Sequence, residues 1–129
     1  MGWIRECLVE RKLGFPLNNI QKLVLNLPDV RGLIIVARLG LGVTTAITAR
    51  LSWLNPKNLY ILDPRETLKF PGAKYTGPVG NDDLFVVDNA DEVKDFTTIM
   101  AGMISCHSWI LAGELSSIEK DTNLFRIYS

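Results

Sequence analysis

The feature that most restricts this chain is the stretch Gly32-Leu33-Ile34-Ile35-Val36-Ala37-Arg38-Leu39-Gly40-Leu41-Gly42-Val43-Thr44-Thr45-Ala46-Ile47. Leu33 to Ala37 is a short apolar run rich in β-branched residues, the pattern of a strand buried on both faces. Gly40 and Gly42 allow a tight turn and a close approach of backbone to a ligand. Thr44 to Leu51 continues in helix-compatible residues. A strand, a glycine turn and a helix start together leave backbone N–H groups pointing out of the helix. The helix dipole favours an anion at the same place.

The rest of the chain repeats the alternation of apolar runs and helical segments. Trp3 to Lys12 suits a helix with Ile4, Cys7 and Leu8 on one face, interrupted by Gly14 and Pro16. Asn18 offers a cap for a second helix in which Ile20, Leu23, Val24 and Leu27 recur at helical spacing until Pro28. Residues 1–30 are thus a helical lead-in. After the glycine turn a helix runs to about Trp53, and Asn58 to Leu62 reads as a second strand ended by Asp63-Pro64. The Pro- and Gly-rich residues Arg65 to Asn81 read as loop, with one short strand near Ala73 to Tyr75. Leu84 to Val87 is a third strand, closed by Asp88. Asn89 with Glu92 three residues later resembles a capping box, opening a helix with Val93, Phe96, Met100 and Met103 on one face. Ser108 to Leu111 reads as a fourth strand, and Leu124 to Tyr128 alternates like an edge strand. Strands separated by helices imply parallel βαβ units, hence a three-layer α/β fold with a mostly parallel sheet in a single domain, 1–129. Ligands in such sheets sit beyond the carboxyl ends of the strands, which is where Gly40–Thr44, Asp63 and Asp88 are expected.

The glycine turn can be laid against the phosphate-loop pattern G-x-x-x-x-G-K-[ST]. The first Gly then falls on Ala37, the second on Gly42, the Lys on Val43 and the hydroxyl on Thr44. The framework is kept and the cation is lost. A missing charge-assisted contact costs roughly 1.5–3 kcal/mol, and a missing transition-state stabiliser about 100- to 1000-fold in rate. Arg38, at the start of the loop, is a candidate replacement, since a guanidinium binds phosphate bidentately. The candidate nucleotide-binding residues are therefore Arg38, Gly40, Gly42, Val43, Thr44 and Thr45.

The order of these features resembles the nucleotide-binding core of the secretion ATPases that drive type II secretion and type IV pili. The matching residues are Leu13-Gly14-Phe15, then Arg31-Gly32-Leu33-Ile34-Ile35-Val36, Gly40-Leu41-Gly42-Val43-Thr44-Thr45, Leu54-Asn55 and Leu62-Asp63-Pro64-Arg65-Glu66. Asp83 to Val87, Asp88-Asn89 and Ser105-Cys106-His107 follow in the family's order, so the likeness spans roughly residues 13–117. It implies a P-loop NTPase (RecA-like) core that takes ATP or ADP with Mg²⁺. Thr44 and Asp88 would hold the metal, and Asp63 or Glu66 would orient the attacking water. The departures fall on the chemistry. Val43 stands for the loop Lys, Leu62 for the first residue of the acidic box, Asn89 for the glutamate that polarises water, and Glu114 for a later histidine. The resemblance therefore implies a degraded, non-hydrolysing relative that binds nucleotide, or that assembles with a true secretion or pilus ATPase or with itself as an oligomer.

Two readings from other classes compete with it. Gly40-x-Gly42 with Asp63 about twenty residues on imitates a dinucleotide-binding fingerprint, although Thr45 replaces its third glycine. A protein-interaction relic without ligand also fits a chain carrying Trp3 and Trp53. Fourteen basic residues balance fourteen acidic ones, so no general field attracts nucleic acid. Cys7 and Cys106 match no metal spacing and read as free thiols, and His107 lacks a nucleophile at recognisable spacing. With 47% hydrophobic and 22% charged residues, no run long enough for a membrane span and no signal-peptide pattern, the expected location is cytoplasmic.

Overall fold

The computed structural model describes residues 2–37, 40–114 and 124–128. The chain divides into two compact units, one comprising Met1–Asp29 with Gly40–Pro56, the other Val30–Leu39 with Lys57–Ser129. Each is built around its own packing problem.

The first unit is helical. It contains α1 (Gly2–Leu13), α2 (Asn19–Asn26) and α3 (Val43–Leu54). Helix α2 starts where the sequence places it. The Asn18 side chain accepts the Gln21 N–H at 2.8 Å while the Gln21 side chain accepts the Asn18 N–H at 2.8 Å, a reciprocal capping box. Its far end is closed by a cation. Arg50, 4% exposed, projects from α3 and donates to the carbonyls of Val24, Leu27 and Pro28 at 2.8–2.9 Å. A guanidinium at a helix C-terminus satisfies orphan carbonyls and complements the dipole. Burial pulls the Arg50 pKa down, Asp29 opposes that, and Arg5 adds to it. The apolar packing of this unit joins Val9, Leu17, Leu25 and Ala49, with Leu13 beside them. Trp3 is 68% exposed, and Trp53, 40% exposed, lies under the Arg5 guanidinium.

The second unit is a five-stranded sheet in the order β2-β3-β4-β1-β5. Its strands are β1 (Gly32–Ala37), β2 (Leu59–Leu62), β3 (Leu84–Val87), β4 (Ser108–Glu114) and β5 (Leu124–Tyr128), with helix α4 (Phe96–Ser105) between β3 and β4. The four strands β2, β3, β4 and β1 are parallel, and β5 pairs antiparallel with β1 at the edge. The α/β class and the mostly parallel sheet are thus as the sequence implies. Both faces are apolar, as parallel pairing demands. Leu33, Ile35, Ile61, Val86, Ile110 and Ala112 are buried on one side, and Tyr60, Phe85, Val87 and Trp109 join Ile99 and Cys106 on the other.

Several local expectations are corrected. The short strand near Ala73 is a single bridge, Lys74 to Tyr60, in which Ile61 N–H donates to the Lys74 carbonyl and Lys74 N–H to the Leu59 carbonyl. It covers part of the free edge of β2, where unpaired backbone would otherwise invite another chain. Asn89 does not cap a helix. It has φ 53° with no capping hydrogen bond, and only a 3₁₀ turn (Ala90–Glu92) follows. Asp95 caps α4 instead, its side chain accepting the Thr97 N–H at 3.0 Å. Ile99 and Gly102 are buried on α4, and Met103 and the preceding Val93 pack against the same core as expected, while Phe96 and Met100 are exposed. Cys7 is exposed and Cys106 buried, both free thiols, and burial pushes the Cys106 thiol pKa up.

Close backbone approach explains one glycine. Gly32 is the register partner of Trp109, and a Cβ on it would run into the indole ring. Gly32→Ala is therefore expected to destabilise the protein by about 1–3 kcal/mol, the usual cost of overpacking. Urea unfolding followed by tryptophan fluorescence checks this, and an unchanged midpoint would contradict the contact.

Candidate functional site

The predicted site residues fall into both units. Gly40, Gly42, Val43, Thr44 and Thr45 belong to the first, and Asp63, Glu66 and Asp88 to the second. Arg38 lies outside the described residues.

In the first unit the glycine turn is built for sharp reversal. Gly40 has φ 88° and Gly42 φ 78°, both in the left-handed region that glycine enters without a Cβ penalty. Helix α3 begins at Val43, immediately after Gly42, and Gly42 supplies no capping side chain. The turn is held from α2. Asn18 Nδ2 donates to the Leu41 carbonyl and Gln21 Nε2 to the Gly42 carbonyl, each at 3.4 Å. The residues of the α2 capping box thus also brace the loop, a role that the local sequence pattern does not signal. A Cβ on Gly42 would come within 2.7 Å of Gln21 Nε2. Val43 is only 6% exposed, so its side chain packs inward. Thr44 accepts through its carbonyl from the Thr48 hydroxyl at 3.0 Å.

In the second unit, Asp63 and Asp88 directly follow β2 and β3, whose last residues, Leu62 and Val87, are register partners. The two carboxylates therefore stand at the same end of the sheet, as expected for a parallel arrangement. The strand carrying Asp88 is not beside β1, however. Strand β4 lies between them, an order that only long-range pairing sets. Asp88 is 3% exposed and accepts the Asn89 N–H at 2.9 Å.

Asp63 is the best-satisfied polar group here. Its Oδ1 accepts from Arg65 N–H at 3.0 Å and Asn89 Nδ2 at 2.8 Å. Its Oδ2 accepts from Thr67 N–H, Leu68 N–H and the Thr67 hydroxyl at 2.8, 2.8 and 3.0 Å. Burial raises its pKa, but the hydrogen bonds from Asn89, Leu68, Arg65 and Thr67 outweigh that and hold it below the ordinary carboxylate value. Its carboxylate therefore organises the turn after β2 and ties it, through Asn89, to the turn after β3. An ion pair between Arg65 and Glu92 makes a second tie between the same turns. The Asp-Pro-Arg-Glu-Thr sequence carries a signal for the local part, since Asp side chains fold back on N–H groups a few residues on. The tie to Asn89, 26 residues away, carries none.

Glu66 is exposed, sits at φ 55°, and closes the turn through its own N–H to the Asp63 carbonyl. His107 is exposed and precedes β4, at the opposite end of the sheet from Asp63 and Asp88, where its N–H donates to the Asp83 carbonyl. Among the described residues, no group of three or more His, Cys, Asp or Glu side chains is arranged around a common metal position. The two Asp63 carboxylate oxygens together accept five hydrogen bonds from protein donors. No helix is long and apolar enough to cross a membrane among the described residues. No protein-family model, curated protein or solved structure matches the chain.

Removing the Asp63 carboxylate exposes the strength of this brace. Asp63→Ala is expected to cost about 1.5–3 kcal/mol at neutral pH, the scale of hydrogen bonds to an ionised group. A depressed folded-state pKa means that this stabilisation is complete above the unfolded value, about pH 4. It is lost as pH falls through the lower folded value. Denaturant melts of parent and variant should therefore differ by a constant amount from pH 7 to about pH 5 and converge only in acid. Convergence already at neutral pH would exclude the brace.

Proposed function

We propose that this protein is a phosphate-loop-type α/β domain, resembling the core of secretion and pilus ATPases, that binds nucleotide phosphates without turning the nucleotide over efficiently. The observation that carries this reading is the start of α3. A left-handed Gly42 leads directly into a helix whose first residues are Val43, Thr44 and Thr45, with no capping side chain on Gly42. Backbone N–H groups at such a helix start favour a phosphate, with the Gly40–Gly42 turn bringing the backbone close to it.

Three features support slow or absent hydrolysis. Val43 packs inward where a lysine would reach the β- and γ-phosphates. The Asp63 carboxylate is occupied by its own turn. Asn89, in the place of a water-polarising glutamate, donates its amide to Asp63 and carries no base. In this reading the bound nucleotide is a structural or regulatory ligand, and a working secretion or pilus ATPase, or a second copy of the chain, is the partner of choice.

The strand order favours this reading over a dinucleotide-binding one. In that fold β1 and β2 are neighbours and the acidic residue after β2 reaches a ribose. Here β4 and β5 flank β1, and the carboxylate after β2 is taken up by five protein donors.

The decisive experiment is calorimetric titration of the protein with ATP and Mg²⁺, with released phosphate assayed on the same sample. Saturable binding with phosphate release at least 100-fold slower than ordinary enzymatic turnover of about 10 per second is expected. Gly42→Ala should weaken binding at least tenfold, since its Cβ would press on Gln21 and its φ is hostile to alanine. Absence of binding at millimolar ATP would overturn the proposal and leave the turn as a structural βα connection.

A further inference from the structure

The two outer strands of the sheet, β2 and β5, differ in what their free edges offer. An edge strand carries a row of N–H and C=O groups that can pair with another chain unless something blocks them. On β2 the row is blocked. The Lys74 N–H donates to the Leu59 carbonyl at 2.8 Å, and the Lys74 carbonyl accepts the Ile61 N–H at 2.9 Å. On β5, among the described residues, no strand pairs with the side turned away from β1.

The register fixes which groups of β5 lie on that side. Trp109 N–H donates to the Arg31 carbonyl at 2.8 Å, and Gly32 is the parallel partner of Trp109. Arg31, Leu33, Ile35 and Ala37 therefore turn backbone groups towards β4. By alternation Gly32, Ile34 and Val36 turn theirs towards β5. Their antiparallel partners are Tyr128, Arg126 and Leu124, whose N–H and C=O groups face β1. Phe125 and Ile127 direct theirs outward. The segment Leu-Phe-Arg-Ile-Tyr contains neither Pro nor Gly and is rich in strand formers, so its backbone can carry a second ladder.

We propose that the outer edge of β5 is a homodimer interface, in which β5 of a second copy adds antiparallel to it and joins two sheets into one. Phe125 of each copy pairs with Ile127 of the other, around a two-fold axis at residue 126. Antiparallel pairing of identical strands satisfies both edges at once and closes the assembly. The blocked edge of β2 is the reason for this partner. With Lys74 in place, β5 cannot add to β2 of the next molecule and build an open stack. The axis also sets Arg126 opposite itself in the second copy, so like charge meets like and the dimer tightens as salt rises. The pairing uses the sheet unit alone and needs no nucleotide.

Sedimentation equilibrium of the full chain from micromolar to millimolar concentration, with amide hydrogen exchange read on the same samples, tests this. A monomer–dimer equilibrium is expected in which the Phe125 and Ile127 amides gain at least tenfold protection as the dimer forms. The Arg126 and Tyr128 amides, paired to β1, stay protected throughout. Ile127→Pro removes an outward donor and keeps the β1 ladder, so the folded variant should dimerise at least tenfold more weakly. Arg126→Thr relieves the like-charge contact and should dimerise more tightly. Ile104→Ser, which shortens the exposed apolar row of Phe96, Met100 and Ile104 on α4, should dimerise like the parent. Exchange on the parent decides the matter if the proline variant does not fold. A monomer up to millimolar concentration, a dimer with unchanged exchange at Phe125 and Ile127, or a dimer that Ile104→Ser abolishes and Ile127→Pro spares would overturn the proposal.

Discussion

A parallel sheet must pair its backbone on both edges of every interior strand and hide apolar side chains on both faces. In this protein β3, β4 and β1 are interior, so polar chemistry is confined to the ends of strands and to the turns beyond them. That constraint accounts for most of the architecture. It explains why strand β3 is a bare Leu-Phe-Val-Val followed at once by a buried aspartate, and why β2 ends in the carboxylate that organises the following turn. It also explains the glycines. Gly32 makes room for Trp109 across the β1–β4 ladder, and Gly102 lets α4 settle on Phe85.

The carboxyl end of this sheet illustrates how one residue type serves two purposes that cannot be met together. An ionised aspartate surrounded by N–H donors is a strong organiser of backbone and a poor base, because the same hydrogen bonds that stabilise the charge lower its affinity for a proton. Asp63 is such a group, with Asn89 completing its set of donors. The proposed loss of turnover is then a matter of electrostatics and occupancy at several positions, not of one missing lysine.

The two faces of α4 carry a related lesson about packing. Helix α4 buries Ile99 and packs Met103 on the core, yet leaves Phe96, Met100 and Ile104 in solvent, so it exposes more large apolar groups than a surface helix usually does. Of the face read from the sequence as Val93, Phe96, Met100 and Met103, Val93 and Met103 do pack against the core, whereas Phe96 and Met100 are exposed. Ile99, Gly102 and Met103 face the core, and Phe96, Met100 and Ile104 lie on the opposite, exposed side.

What the sequence determined by itself is the set of elements whose signal is local. Strands β1, β2 and β3 are short apolar runs bounded by turn residues, Asn18 with Gln21 is a complete capping signal, and α3 begins after Gly42 and ends by Asn55-Pro56. The α/β class with a mostly parallel sheet follows from their alternation. Tertiary structure alone decided the insertion of β4 between β1 and β3, the left-handed role of Asn89, and the donors that converge on Asp63. The physical reason is range. Strand propensity and helix caps are settled within a few residues, whereas pairing order and the saturation of a carboxylate depend on groups tens of residues apart that meet only when the chain has folded.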